Sequence, residues 1–187
     1  MRFNTHSNLA GTHAFLGASS PHWINYSDDK LDFAYTTAQA ARRGTELHEL
    51  AKNCIRLGVR LPDTPTTMNL YVNDAIGFRM TPEQILYYSP NCYGTTDTIS
   101  FRKNFLRIHD LKSGVTRSPV RQLYVYVALF CLEYEFSPFA IDIETRIYQS
   151  DEVKIYVPEP EEIAYIMDKI VTFDKRIEAL KLEHLGY

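Results

Sequence analysis

The chain has 187 residues, 45% of them hydrophobic and 23% charged, which suits one folded domain and excludes a chain dominated by disorder. Its formal charge of -3 excludes an all-round basic coat, so any contact with nucleic acid must come from a local patch. Cys54, Cys92 and Cys131 lie far apart and form no C-x-x-C pair. That argues against a disulfide framework, a structural zinc site or a four-cysteine iron–sulfur cluster, and leads us to expect a reducing, cytoplasmic setting.

In chain order, the first 30 residues are polar and rich in Gly and Ser, with scattered Phe15, Trp23 and Tyr26, and read as loops and short turns forming a lid. Residues 35–57 read as a helix, because Ala40, Gly44, Leu47, His48, Ala51 and Ile55 recur at three- and four-residue spacing before Gly58. A Pro/Thr/Asn-rich loop is expected over 62–73, then strands over 74–80, 84–89, 95–101 and 105–112. Helical periodicity returns over 118–136, followed by strands over 141–148 and 152–157. The last helix, 159–183, carries Ile163, Ile166, Met167, Ile170, Phe173, Ile177 and Leu180 on one stripe, to dock on the core or to contact another copy in a homo-oligomer. This order predicts the α/β or α+β class, with a mixed central sheet flanked by helices. We expect one domain over 1–187: an N-terminal region 1–34, a core 35–157 and a C-terminal helix 158–187. No apolar run is long enough for a membrane span and the N-terminus lacks a signal peptide's apolar core, so no membrane partner is expected.

Charge is segregated along the chain. Six basic residues (Arg102, Lys103, Arg107, Lys112, Arg117, Arg121) face one acid, Asp110, between 102 and 121, whereas nine acids face five basic residues from 151 to 187. Overlapping the basic stretch lies a hairpin pattern. With a loop over 102–105, Phe101 faces Leu106 and Ile99 faces Ile108, so Asp97 comes opposite Asp110 with Lys112 next on the same face. Opposed carboxylates, with β-carbons about 5 Å apart, repel each other. A divalent cation between them removes the conflict and polarises a phosphate, while a nearby ammonium orients the attacking water and offsets charge in the transition state.

Three further features accompany the hairpin. Gly44-Thr45-Glu46-Leu47-His48 lies on the first helix, where Gly44 allows a close approach to the sheet. Gly94 precedes Asp97 in G-x-x-D, and Asp110-Leu111-Lys112-Ser113-Gly114 follows. Gln122 and Tyr126 then stand four apart on the next helix. The series G-T-x-x-H, G-x-x-D, D-L-K-x-G, Q-x-x-x-Y resembles the RecB-type branch of the PD-(D/E)XK nucleases, over roughly residues 35–150. That branch includes helicase-linked nuclease domains, CRISPR-adaptation exonucleases and bacteriophage exonucleases. Thr96 stands where the name motif has Pro, the iron–sulfur cysteines of the CRISPR-adaptation relatives are missing, and no G-x-x-x-x-G-K-[ST] motor motif is present.

The resemblance implies a restriction-endonuclease-like core and Mg²⁺ or Mn²⁺ bound by His48, Asp97, Asp110 and the Leu111 carbonyl. It makes Asp97, Asp110 and Lys112 the catalytic set, with Gln122 and Tyr126 lining the site and Glu49 as a partner of His48. An imidazole ligand tilts preference toward Mn²⁺. Arg102, Lys103, Arg107, Arg117 and Arg121 are the expected DNA contacts. The expected activity is a DNA exonuclease, a phosphodiester hydrolase, serving recombination, repair or replication in a bacterial or phage-infected cytoplasm, with a single-strand annealing protein as a further partner. An endonuclease or nickase, and an inactive DNA- or protein-binding module on the same scaffold, stand as alternatives.

Overall fold

In the computed structural model, which describes residues 4–114 and 119–185, five strands form one sheet in the order β1-β2-β3-β4-β5. They are β1 (Thr81–Ser89), β2 (Cys92–Arg102), β3 (Phe105–Leu111), β4 (Asp142–Gln149) and β5 (Glu152–Tyr156). β3 and β4 run parallel and the other neighbours antiparallel. Three of the connections are two-residue turns, Pro90-Asn91, Lys103-Asn104 and Ser150-Asp151. Lys103 and Asn104 hold φ of 50° and 58°, and Ser150 and Asp151 hold 53° and 60°. Two consecutive left-handed residues match the strand twist of a tight hairpin. The parallel pair needs a crossover, and α3 (Arg121–Glu133) supplies it. The fold is therefore α+β, a mixed sheet flanked by helices.

The chain divides into two compact units, Met1–Arg43 and Gly44–Tyr187. The first contains short 3-10 turns at Ser7–Leu9 and Pro21–Asn25; the second contains the sheet. Helix α1 (Asp28–Leu57) has residues in both and begins at Asp28, not at 35. Its start is set by Ser27, whose hydroxyl accepts from the Lys30 N–H at 3.4 Å, with Asp28 and Asp29 at the positive end of the helix dipole.

The larger correction concerns α2 (Thr67–Gly77), which leaves only 62–66 of the loop expected over 62–73 and replaces most of the strand expected over 74–80. Tyr71, Val72 and Ala75 are buried at helical spacing, which decides against the local Thr and Asn preference for turns. The Asp151 carboxylate accepts from the Thr67 N–H and hydroxyl at 2.7 and 2.9 Å, capping α2 from the β4–β5 turn. Asn73 exchanges two hydrogen bonds with the backbone of Leu61.

Two cores cover the two faces of the sheet. Leu86, Ile99, Leu106, Ile108, Ile143 and Ile147 pack against α3 and against Ile163 of α4 (Pro160–Leu185). Leu111 and Tyr148 pack against Tyr71, Val72 and Ala75 of α2 and Ala51, Cys54 and Ile55 of α1. Ile166, Met167 and Ile170 continue the α4 stripe onto the first core, whereas Phe173 stays 59% exposed. Among the described residues, no helix is long and apolar enough to cross a membrane.

Candidate functional site

The β2–β3 ladder pairs Phe101 with Leu106 and Ile99 with Ile108, as the apolar alternation implies, and closes with Arg102 opposite Phe105. The loop is thus Lys103-Asn104 alone, shorter than the expected 102–105, because both residues adopt the left-handed conformation. At its other end the ladder stops at Thr98–His109. Asp97, one residue on, replaces the next backbone bond with its side chain: Oδ2 accepts from the Leu111 N–H at 2.8 Å. That bond fixes the Asp97 carboxylate against the end of β3, where Asp110 sits.

Asp110 is 4% exposed. Burial, followed by the charge of Asp97, pushes its carboxyl up to about 6. Lys112 opposes that shift, with Nζ 3.0 Å from Asp110 Oδ1. His48, on α1, places Nδ1 3.5 Å from Asp97 Oδ1. The interaction with Asp97 holds the imidazole above its ordinary value, outweighing partial burial. An imidazole oriented through one nitrogen by a carboxylate presents the other as a lone-pair donor, the usual arrangement of a metal-binding histidine.

Glycine makes two of these approaches possible. A β-carbon on Gly44, one turn before His48, would come 2.7 Å from Ser113 Oγ, so α1 lies directly against the segment that follows β3. A β-carbon on Gly94 would come 2.8 Å from Cε1 of Tyr126, whose ring therefore lies on the β2 backbone. From there the contacts lead back to the lysine: Gln122 Nε2 donates to Tyr126 Oη at 3.2 Å, and Lys112 Nζ donates to Gln122 Oε1 at 3.4 Å.

His48 thus meets Asp97, which is bonded to the Leu111 N–H next to Asp110, and Asp110, Lys112, Gln122 and Tyr126 are linked by successive contacts. Among the described residues, no three His, Cys, Asp or Glu side chains are gathered into a group that could hold a metal ion as it stands. The donor chemistry nonetheless fits a divalent cation. Two carboxylates and an imidazole make a mixed N/O set, and the buried Asp110 carboxylate already draws the Lys112 ammonium as a countercharge. Both Asp97 oxygens keep a lone pair beyond those facing His48 and Leu111.

Other expected residues lie elsewhere. Glu49 turns along α1 to Lys52 and Asn53, at 3.0 and 3.3 Å. Arg107 is paired with Glu144 at 3.3 Å, its guanidinium over the rings of Phe78 and Phe105. Arg102 and Lys103 are exposed around the β2–β3 turn and Arg121 at the start of α3, while Arg117 lies outside the described residues.

Sequence reasoning missed the support behind the site. Tyr71 is buried on α2, and burial and then the charge of Asp97 hold its hydroxyl well above the ordinary range. Its ring meets Tyr148 edge-on at 5.3 Å. Tyr148 donates from Oη to Asp74 at 2.6 Å and lies 3.2 Å from His109 Nδ1; its backbone carbonyl accepts from the Lys112 N–H at 2.9 Å. The helical spacing of Tyr71, Val72 and Ala75 was the available signal. Comparison of the chain with protein families, with curated proteins and with solved structures finds no match.

Proposed function

We propose that this chain is a metal-dependent DNA nuclease built on a PD-(D/E)XK core of the RecB-type branch, hydrolysing phosphodiester bonds, with end trimming as its mode. The observation that carries the reading is the buried Asp110 carboxylate with the Lys112 ammonium at 3.0 Å, beside an Asp97 carboxylate fixed by the Leu111 N–H. Burying like charges side by side works against stability, and such conflicts mark functional sites.

Asp97, Asp110, His48 and the Leu111 carbonyl are the groups to hold Mg²⁺ or Mn²⁺, which when bound supplies phosphate polarisation and a water of lowered pKa. Lys112 positions the attacking water and offsets charge that develops on the phosphate. Gln122 holds Lys112 in place, and Tyr126 holds Gln122. Arg102, Lys103 and Arg121, all exposed, are the residues to meet neighbouring phosphates.

Digestion of end-labelled linear DNA and closed circular DNA with Mg²⁺ or Mn²⁺ tests the reading. Metal-dependent loss of the linear form with the circle intact is the expected result. Cutting of the circle would make the protein an endonuclease or nickase. No cutting of either would leave a DNA- or protein-binding module and overturn the proposal.

A further inference from the structure

The sheet has two edges, β1 and β5, and the sequence equips them differently. An open edge offers a row of unpaired N–H and C=O groups to any strand that comes alongside. On β1 that row is taken up by side chains. Glu133 Oε2 accepts from the Tyr87 N–H at 2.8 Å, and Gln84 Nε2 donates to the Ile85 carbonyl at 2.8 Å. Glu83, at φ of 50°, also departs from extended backbone. A further strand could add to β1 only by breaking these bonds.

β5 has no such cover among the described residues. Its two-residue turn makes Gln149 and Glu152 the hydrogen-bonded pair that closes the hairpin. Bonded pairs alternate along an antiparallel ladder, so Lys154 and Tyr156 also turn their backbone groups to β4. Val153 and Ile155 turn theirs outward, where the sheet ends. Their side chains share one face of the sheet with Val157, and Ile155 and Val157 are 54% and 71% exposed.

We propose that β5 pairs with β5 of a second copy, antiparallel and about a two-fold axis at Ile155, joining two five-stranded sheets into one. The strand matches itself best in this register. Ile155 then lies opposite Ile155 of the second copy, and Val153 opposite Val157, so every outward backbone group finds a mate. On the other face Lys154 comes beside the Tyr156 ring of the second copy, a cation–π contact. A slip of two residues one way sets Lys154 against Lys154 of the second copy, and like charges directly opposed destabilise a strand pair. A slip of two the other way carries Val153 past Pro158, where the chain leaves for α4. Lys154 therefore selects the register, as an edge lysine commonly does. Because the β1 edge is blocked, the pairing uses the open edge of each copy and closes at two copies instead of growing into a filament. The pairing does not depend on the chemistry at Asp110.

Sedimentation over a concentration series, with hydrogen exchange on the same samples, tests it. Wild type should rise from 21.6 kDa toward twice that mass as concentration increases, and the Val153 and Ile155 amides should become protected in step. Ile155→Lys opposes two lysines at the axis, and Val157→Lys sets a lysine against Val153 of the second copy. Both should sediment as monomers with their thermal melts intact, since both positions are exposed. Phe173→Ser, on the exposed flank of α4, should dimerise like wild type. A wild type that stays monomeric at every soluble concentration, dimers that survive both lysines, dimers lost only with Phe173→Ser, or assemblies larger than two copies would overturn the proposal. Protected β5 amides in a monomer would place another segment on this edge and overturn it as well.

Discussion

Asp110 and His109 are adjacent on β3 and titrate in opposite senses. The Asp110 carboxyl is raised to about 6 from 3.8, by burial first and Asp97 second. Its contribution to stability is therefore fully present below pH 3.8 and is lost as pH rises through 6. The His109 imidazole, buried and facing the charges of Arg146 and Arg107, is lowered to about 3 from 6.5. Its contribution is present above pH 6.5 and lost as pH falls through 3. Replacing Asp110 with Asn removes only the first effect. In the absence of divalent cations, Asp110→Asn should be more stable than wild type at pH 8 by roughly 1–2 kcal/mol, the gain shrinking below pH 6. Urea unfolding at pH 5 and pH 8 measures this, and a gain independent of pH would contradict the burial account.

Gly94 gives a second test at this scale. An added methyl would collide with Tyr126 at 2.8 Å and tilt the ring that braces Gln122 and hence Lys112. Gly94→Ala should cost cleavage about tenfold while stability changes by less than about 1 kcal/mol. An unchanged kcat/KM would show that the brace is not needed. The close approach at Gly44 and the nearness of Lys112 to Asp110 follow the expected spacing, whereas the expected facing of Asp97 and Asp110 lies one position beyond the paired ladder. The Asp97 bond to the Leu111 N–H was not legible in the sequence, since it requires the ladder to stop at Thr98–His109.

At the scale of elements, α2 shows what local reading lacks. Its residues prefer turns, and what caps its first turn is Asp151, 84 positions away. The helix is further tied to β4 by the Tyr148 hydroxyl on Asp74, with Arg146 on the same Asp74 oxygen at 3.0 Å. Such pairings between distant positions have no local signature. Because Tyr148 is 0% exposed, Tyr148→Phe should destabilise the protein by about 1–3 kcal/mol in chemical denaturation, leaving Asp74 and His109 short of a partner. A loss below about 0.5 kcal/mol would contradict the view that this network locks α2 to the sheet. The β2–β3 hairpin was easier to read, since its turn lies between strands of matching apolar alternation.

Across the whole molecule, the described basic residues of 102–121 differ in what they are free to meet. Arg107 is bound to Glu144 and stacked on Phe78, whereas Arg102, Lys103 and Arg121 are exposed. Sequence counts charges without showing which are already neutralised by partners on another strand. If the three exposed residues meet phosphates, replacing each with Ala should reduce the salt dependence of DNA binding by about one unit of log–log slope, and Arg107→Ala should act mainly on stability. Fluorescence anisotropy over a salt series decides this, and slopes that do not change would move the binding surface elsewhere.

The most direct test is metal-dependent cleavage of labelled DNA by wild type, Asp110→Ala, Lys112→Ala and the double variant. The two side chains act as one unit at 3.0 Å, so each single substitution should lower kcat by on the order of 10²–10³-fold and the double should be little worse. Full cutting by both single variants would contradict the account.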